Sequence, residues 1–111
     1  MEIGFDRQSQ AALFNDTARL RRKYGPERAR KIELRLAQID AAQNLQQLCS
    51  LPQARCHQLT ADRCEQFSLD LDGPYRLIVE VADEPVPRLL DGGIDRCHVT
   101  RLWVVEVTDT H

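Results

Sequence analysis

Three histidines and four cysteines are the side chains of this 111-residue chain best suited to proton transfer, metal ligation or nucleophilic attack. Two of the histidines directly follow a cysteine, at Cys56-His57 and Cys97-His98, and His111 stands two residues after Asp109. Cys49, Cys56, Cys64 and Cys97 form no C-x-x-C pair. The spacing that preorganises a tetrahedral zinc site is therefore missing, and neither a metal nor another cofactor is expected. A Cys/His metal set can be assembled from the two Cys-His pairs only on paper; the plainer reading is ordinary thiols and separately employed histidines. Histidine suits proton transfer because its ordinary pKa is about 6.5, so a neutral and a protonated ring can coexist near neutrality. A carboxylate such as Asp109 raises the pKa of an adjacent imidazole and holds it charged.

The charge is unevenly spread. The formal net charge is −2, which by itself argues against a polyanionic partner. Yet from Arg19 to Arg35 eight basic residues face Glu27 and Glu33, whereas from Ala61 onward five arginines face eleven acids. Such asymmetry fits either a polyanion-binding surface or a solvated helix face. Apolar residues make up 42% of the sequence, and a chain of this length buries enough surface for one domain, residues 1–111, without metal or disulfides. The first residues lack the charged lead and apolar run of a secretory leader, and no window is long enough to span a bilayer. A cytoplasmic protein with reduced thiols and no membrane partner is expected.

These residues must be positioned by an α+β domain. Glu2 to Phe5 reads as a first or edge strand. From about Ser9 to Tyr24, Leu13, Thr17, Leu20 and Tyr24 recur at helical spacing. Gly25-Pro26 closes that helix and opens a second, about Pro26 to Ala42, since Gly tolerates unusual backbone angles and Pro suits a first turn. Its face of Ala29, Ile32, Leu36 and Ile39 is flanked by a basic stripe of Arg28, Lys31 and Arg35. Leu45, Leu48 and Leu51 continue helical spacing until Pro52. Arg55 to Leu59 reads as a short strand, and Gln66 to Leu71 alternates, with Phe67, Leu69 and Leu71 on one side. Asp72-Gly73-Pro74 turns the chain into Tyr75 to Val81, a β-hairpin. A long loop, Asp83 to Arg96, is expected to be mobile. His98 to Asp109, apolar on both faces, reads as a central strand. The expected architecture is two N-terminal helices packed on one face of a mainly antiparallel sheet of four to five strands, leaving the other face open. Tyr24, Tyr75 and Trp103 are expected in the core.

The run L-P-Q-A-R-C-H-Q-L-T-A-D-R-C-E-Q-F-S-L-D-L-D-G-P-Y-R-L, from Leu51 to Leu77, resembles the central motif of the HigB-type killer proteins of the RelE/ParE toxin superfamily. The end V-E-V-T-D-T-H resembles that family's terminal strand and Asp-Tyr-His tail. With the two preceding helices, the resemblance spans essentially the whole chain, carried by the order and spacing of the motifs jointly.

The resemblance implies a ribosome-dependent messenger-RNA endonuclease, inhibited by a co-encoded helix-turn-helix antitoxin of the HigA type, with ribosome and messenger as partners. His57 matches the family's central catalytic His, Asp109 and His111 match the tail, and Arg76 matches the hairpin Arg near the scissile phosphate. Arg63, Arg28, Lys31 and Arg35 are the further candidates for phosphate or RNA contact. Metal-free RNA cleavage needs a base for the 2′-hydroxyl, donors for the phosphorane oxygens and an acid for the leaving oxygen; two imidazoles and a guanidinium suffice. Thr110 stands where the tail usually has Tyr, and Thr60 where a Lys commonly follows the His. The structural alternatives are a packed His57, a frayed His111, an Arg76 paired with Asp70 or Asp72, and a solvated Arg63. The functional alternatives are a non-enzymatic ParE-like binder of DNA gyrase and a degenerate copy retaining only its antitoxin partner.

Overall fold

The side chain of Asp16 accepts hydrogen bonds from the backbone amides of Ala18 and Arg19, and so starts a helix where the periodicity alone predicts a continuous one. In the structure, a computed structural model describing residues 1–5 and 7–109, the expected first helix is therefore two: α1 (Gln8–Phe14) and α2 (Thr17–Tyr24). Gly25, at φ 83, turns the chain into α3 (Pro26–Ala41), with Pro26 in the first turn as expected. Asn44 caps a short α4 (Leu45–Cys49) by accepting from the amide of Gln47.

The strands are β1 (Glu2–Phe5), β2 (His57–Gln58), β3 (Gln66–Asp70), β4 (Tyr75–Val81) and β5 (Arg101–Asp109). Among the described residues they form one mixed sheet in the order β1-β5-β4-β3-β2, antiparallel except for β1 beside β5. This is the α+β architecture expected from the sequence. The strand expected over 55–59 is shorter than that, and β5 begins after a single 3₁₀ turn at Arg96–His98.

Helices cover one face. Leu20, Ile32, Ile39, Leu45 and Leu48 are fully buried with Phe67, Leu69, Leu77, Val79, Leu102 and Val104 of the sheet, in one cluster. Each such side chain stabilises the fold by about 1.5–3 kcal/mol through burial. Leu13 is only partly buried; Phe14 takes its place in the core and stacks on Phe5 of β1, ring centroids 5.5 Å apart. The loop after β4 is tied down at its start by Asp83, which accepts from the amides of Thr100 and Arg101, and further on by an ion pair between Arg88 and Glu65.

The strand register decides what the opposite face carries. Opposite residues share a face, so His57, Ser68, Ile78 and Glu106 form one row and Asp70, Arg76 and Thr108 the next. Gly4 and Trp103 extend that face at its far side. Trp103 is a correction to the expected core position: it is 39% exposed and lies over Gly4. No helix among the described residues is long and apolar enough to cross a membrane.

Candidate active site

His57 sits at the exposed edge of the sheet, on the face away from the helices. Its Nδ1 is 3.1 Å from the carbonyl oxygen of Arg55. A carbonyl only accepts, so Nδ1 carries the hydrogen, and in the neutral ring Nε2 keeps its lone pair. Arg55 makes this contact possible by adopting φ 45, a left-handed conformation that costs a non-glycine residue about 1 kcal/mol. Neither the carbonyl contact nor that backbone turn leaves a signature in the sequence, which by itself does not single out Arg55.

The guanidinium of Arg55 is 76% exposed and lies 3.5 Å from Asp70, which also forms an ion pair with Arg76 Nε at 3.0 Å. Two cations thus share one carboxylate next to His57, leaving that corner with a local excess of positive charge. Arg76 itself is largely enclosed and donates to the carbonyls of Gly73 and Tyr75 at 2.9 and 2.8 Å. Of the two carboxylates expected as partners, Asp70 and Asp72, Arg76 pairs with Asp70.

Arg63 closes part of the face from above. The 3₁₀ turn Ala61–Arg63 opens on a further left-handed residue, Ala61 at φ 59, and is followed by another, Glu65 at φ 74. From it Arg63 donates to Gln66 of β3 at 3.1 Å and to Glu106 of β5 at 2.9 Å, crossing over β4 between them. Ile78 and Ser68 are buried on this otherwise open face. Leu59, Thr60, Arg63, Thr108 and Asp109 line a cavity of about 260 Å³ between that turn and the end of β5. Thr60, an uncharged residue, is therefore on the wall of this cavity. Asp109 is registered opposite Tyr75, in the alternate set of β4 positions from Ile78 and Arg76, and is three strand spacings from β2, about 14 Å across the sheet, so the sheet does not bring it beside His57. Thr110 and His111 lie outside the described residues.

The basic stripe divides differently from its helical spacing. Arg28 holds Asp72 of the hairpin turn with two hydrogen bonds, at 2.9 and 3.2 Å, and lies 3.4 Å from the centre of the Tyr75 ring. That pairing raises the Arg28 pKa further; the Asp72 carboxyl, pushed up by burial, is brought net below its usual value by Arg28. Arg35 is 3% exposed and donates to the carbonyls of Asp70 and Gln53 at 2.6 and 2.9 Å, and to Gln38 at 3.1 Å. Burial lowers its pKa, against the opposing charge of Asp70. The expectation that Arg35 stands on an RNA-facing surface is corrected: it is an internal brace between α3 and the strand carrying Asp70. Lys31 remains half-exposed on the helical layer, and Arg19, Arg21, Arg22 and Arg30 are exposed there too. The basic segment and the His57 face are thus on different sides of the sheet.

His98 pairs with Asp95 at 2.8 Å, and Cys97 beside it is exposed. Among the described residues no three His, Cys, Asp or Glu side chains converge as a metal ligand set. A family model described as the RelE-like toxin of type II toxin-antitoxin system HigB matches residues 5–91. That span includes His57, Arg63 and Arg76 and ends before β5. No curated protein matches the chain closely enough to count as a relative.

Proposed function

Because the chain belongs to the HigB-like family of RelE-like toxins of type II toxin–antitoxin systems, we propose that it cleaves messenger RNA on the ribosome by metal-free acid–base chemistry. The family implies a co-encoded antitoxin, and on this reading it is a helix-turn-helix protein of the HigA type.

The observation that carries the reading is the orientation of His57. With Nδ1 committed to the Arg55 carbonyl, Nε2 is the nitrogen free to take the 2′-hydroxyl proton as that oxygen attacks phosphorus. Arg55, exposed and only loosely held by Asp70, supplies donors to the phosphorane oxygens, where planar guanidinium geometry is well matched. Arg63 joins it when RNA displaces Glu106. Arg76 contributes through Asp70, by fixing the carboxylate that positions Arg55. His111 is the acid for the departing 5′-oxygen, with Asp109 holding it protonated. The exposed arginines of α2 and α3 suit ribosomal RNA, whose phosphates they approach without involving the His57 face.

Primer extension on a messenger after induction, with and without ribosomes, tests this. Wild type should give ribosome-dependent cuts. His57→Ala and deletion of His111 should each reduce cleavage about 100- to 10,000-fold, the usual loss on removing one acid–base partner. Toxicity undiminished in both variants, with no cuts in the wild type, would instead support a gyrase-binding mode of action.

A further inference from the structure

Cys49 ends α4 and Cys56 immediately precedes β2, and their sulfurs are 3.3 Å apart. A disulfide bond is about 2.05 Å long, so the two atoms need approach by little more than an ångström. Cys56 is buried, whereas Cys49 is partly open to solvent. Beside Cys49 lies the Arg96 guanidinium, itself held by Gln58 at 3.3 Å and packed over the Phe67 ring. This is an asymmetric pair: one accessible sulfur with a cation next to it, and one enclosed sulfur in contact behind it.

We propose that Cys49 and Cys56 form a peroxide-reactive dithiol, with Cys49 the attacking sulfur and Cys56 the resolving one. Once Cys49 ionises, the Cys56 S–H donates to it and Arg96 faces it; these lower the Cys49 pKa to about 7, while contact with Cys49 and burial push Cys56 up. The thiolate attacks one oxygen of a hydroperoxide: an S–O bond forms, the O–O bond breaks, and the departing oxygen takes a proton to leave as alcohol or water. Cys56 then attacks the Cys49 sulfur, the S–S bond forms, the S–O bond breaks, and the Cys56 proton leaves with the hydroxide as water. Two thiols and one hydroperoxide give a disulfide, water and the alcohol. The new bond ties α4 to the residues that carry Arg55 and His57, and a dithiol reductant reverses it. This chemistry holds whatever reaction the His57 face performs.

The test is treatment of the full chain with hydrogen peroxide, followed by peptide mapping before and after reduction. A Cys64→Ser/Cys97→Ser background keeps the exposed thiols from contributing. The expected product is one internal Cys49–Cys56 disulfide, lacking two hydrogen atoms and regained as free thiols on reduction. In Cys56→Ser, dimedone should trap a sulfenic acid on Cys49; in Cys49→Ser, Cys56 should remain unlabelled. Persistent free thiols, oxidation of Cys49 straight to sulfinic acid with Cys56 present, or a dimedone adduct on Cys56 in Cys49→Ser would each overturn the proposal. The disulfide and its reduction are also mapped in the wild-type chain, so that readout does not depend on any variant folding.

Discussion

His57 Nδ1 and the carbonyl oxygen of Arg55 are 3.1 Å apart, joined within three residues by the left-handed backbone of Arg55. Arg55 therefore has two separable parts, a carbonyl that orients the imidazole and a guanidinium that faces solvent. Arg55→Gly separates them, since glycine adopts φ 45 without strain. Its thermal midpoint should not fall, but RNA cleavage should. A lost charged hydrogen bond is worth about 1.5–3 kcal/mol, roughly 10- to 100-fold in rate. Cleavage equal to wild type would remove Arg55 from the reaction.

Arg35 should behave as a structural residue. Arg35→Met leaves the carbonyls of Asp70 and Gln53 without their donor, and burying each unsatisfied group costs about 1–3 kcal/mol. The urea midpoint should drop accordingly. Arg35→Lys should recover little, because one ammonium cannot reproduce the fork that spans both carbonyls. A surface role would predict the reverse pattern: normal stability with weakened RNA binding.

The Arg28–Asp72 pair predicts a pH dependence whose sign follows from its direction. Asp72 has a lowered carboxyl pKa in the folded chain, so the pair contributes stability above the ordinary carboxylate value, about 3.9. That contribution is lost as pH falls through the lower, folded value. Asp72→Asn should therefore be less stable than wild type by about 1 kcal/mol at neutral pH. The two denaturation midpoints should converge below about pH 4. A gap that persists in acid would mean that the turn backbone, not the ion pair, is responsible.

Gly4 and Trp103 offer a spectroscopic test of the open face. A Cβ at position 4 would come within 2.8 Å of two ring carbons of Trp103. The ring is partly exposed and can swing aside, so Gly4→Ala should cost no more than about 1–3 kcal/mol, the usual range for overpacking. The tryptophan emission should shift to longer wavelength as the ring moves into water. Unchanged emission would place the indole elsewhere in solution.

Much of the architecture is written in local patterns. Gly25-Pro26 marks the junction of α2 and α3, Asp72-Gly73 marks the hairpin, and the alternation of Phe67, Leu69, Leu77 and Val79 identifies the core side of β3 and β4, because side-chain direction follows backbone period. The break at Asp16 was also local, but a capping carboxylate competes with an uninterrupted apolar stripe, and period alone favours the longer helix. His57 and Arg76 were legible as candidates through the order of motifs around them. What each faces was not. The placement of His57 on the face away from the helices follows from its register opposite Ser68, a pairing that a shift of one residue would reverse. The spacing of Arg28 and Arg35 put them beside an apolar helix face, yet their partners, Asp72, Asp70 and Gln53, come from segments the sheet brings under that helix. The meeting of Cys49 with Cys56 likewise depends on how α4 packs against the entry to β2. Periodicity is a property of neighbouring residues and can be read in one dimension; register and cross-chain partnership are set by long-range packing, and only the folded chain decides them.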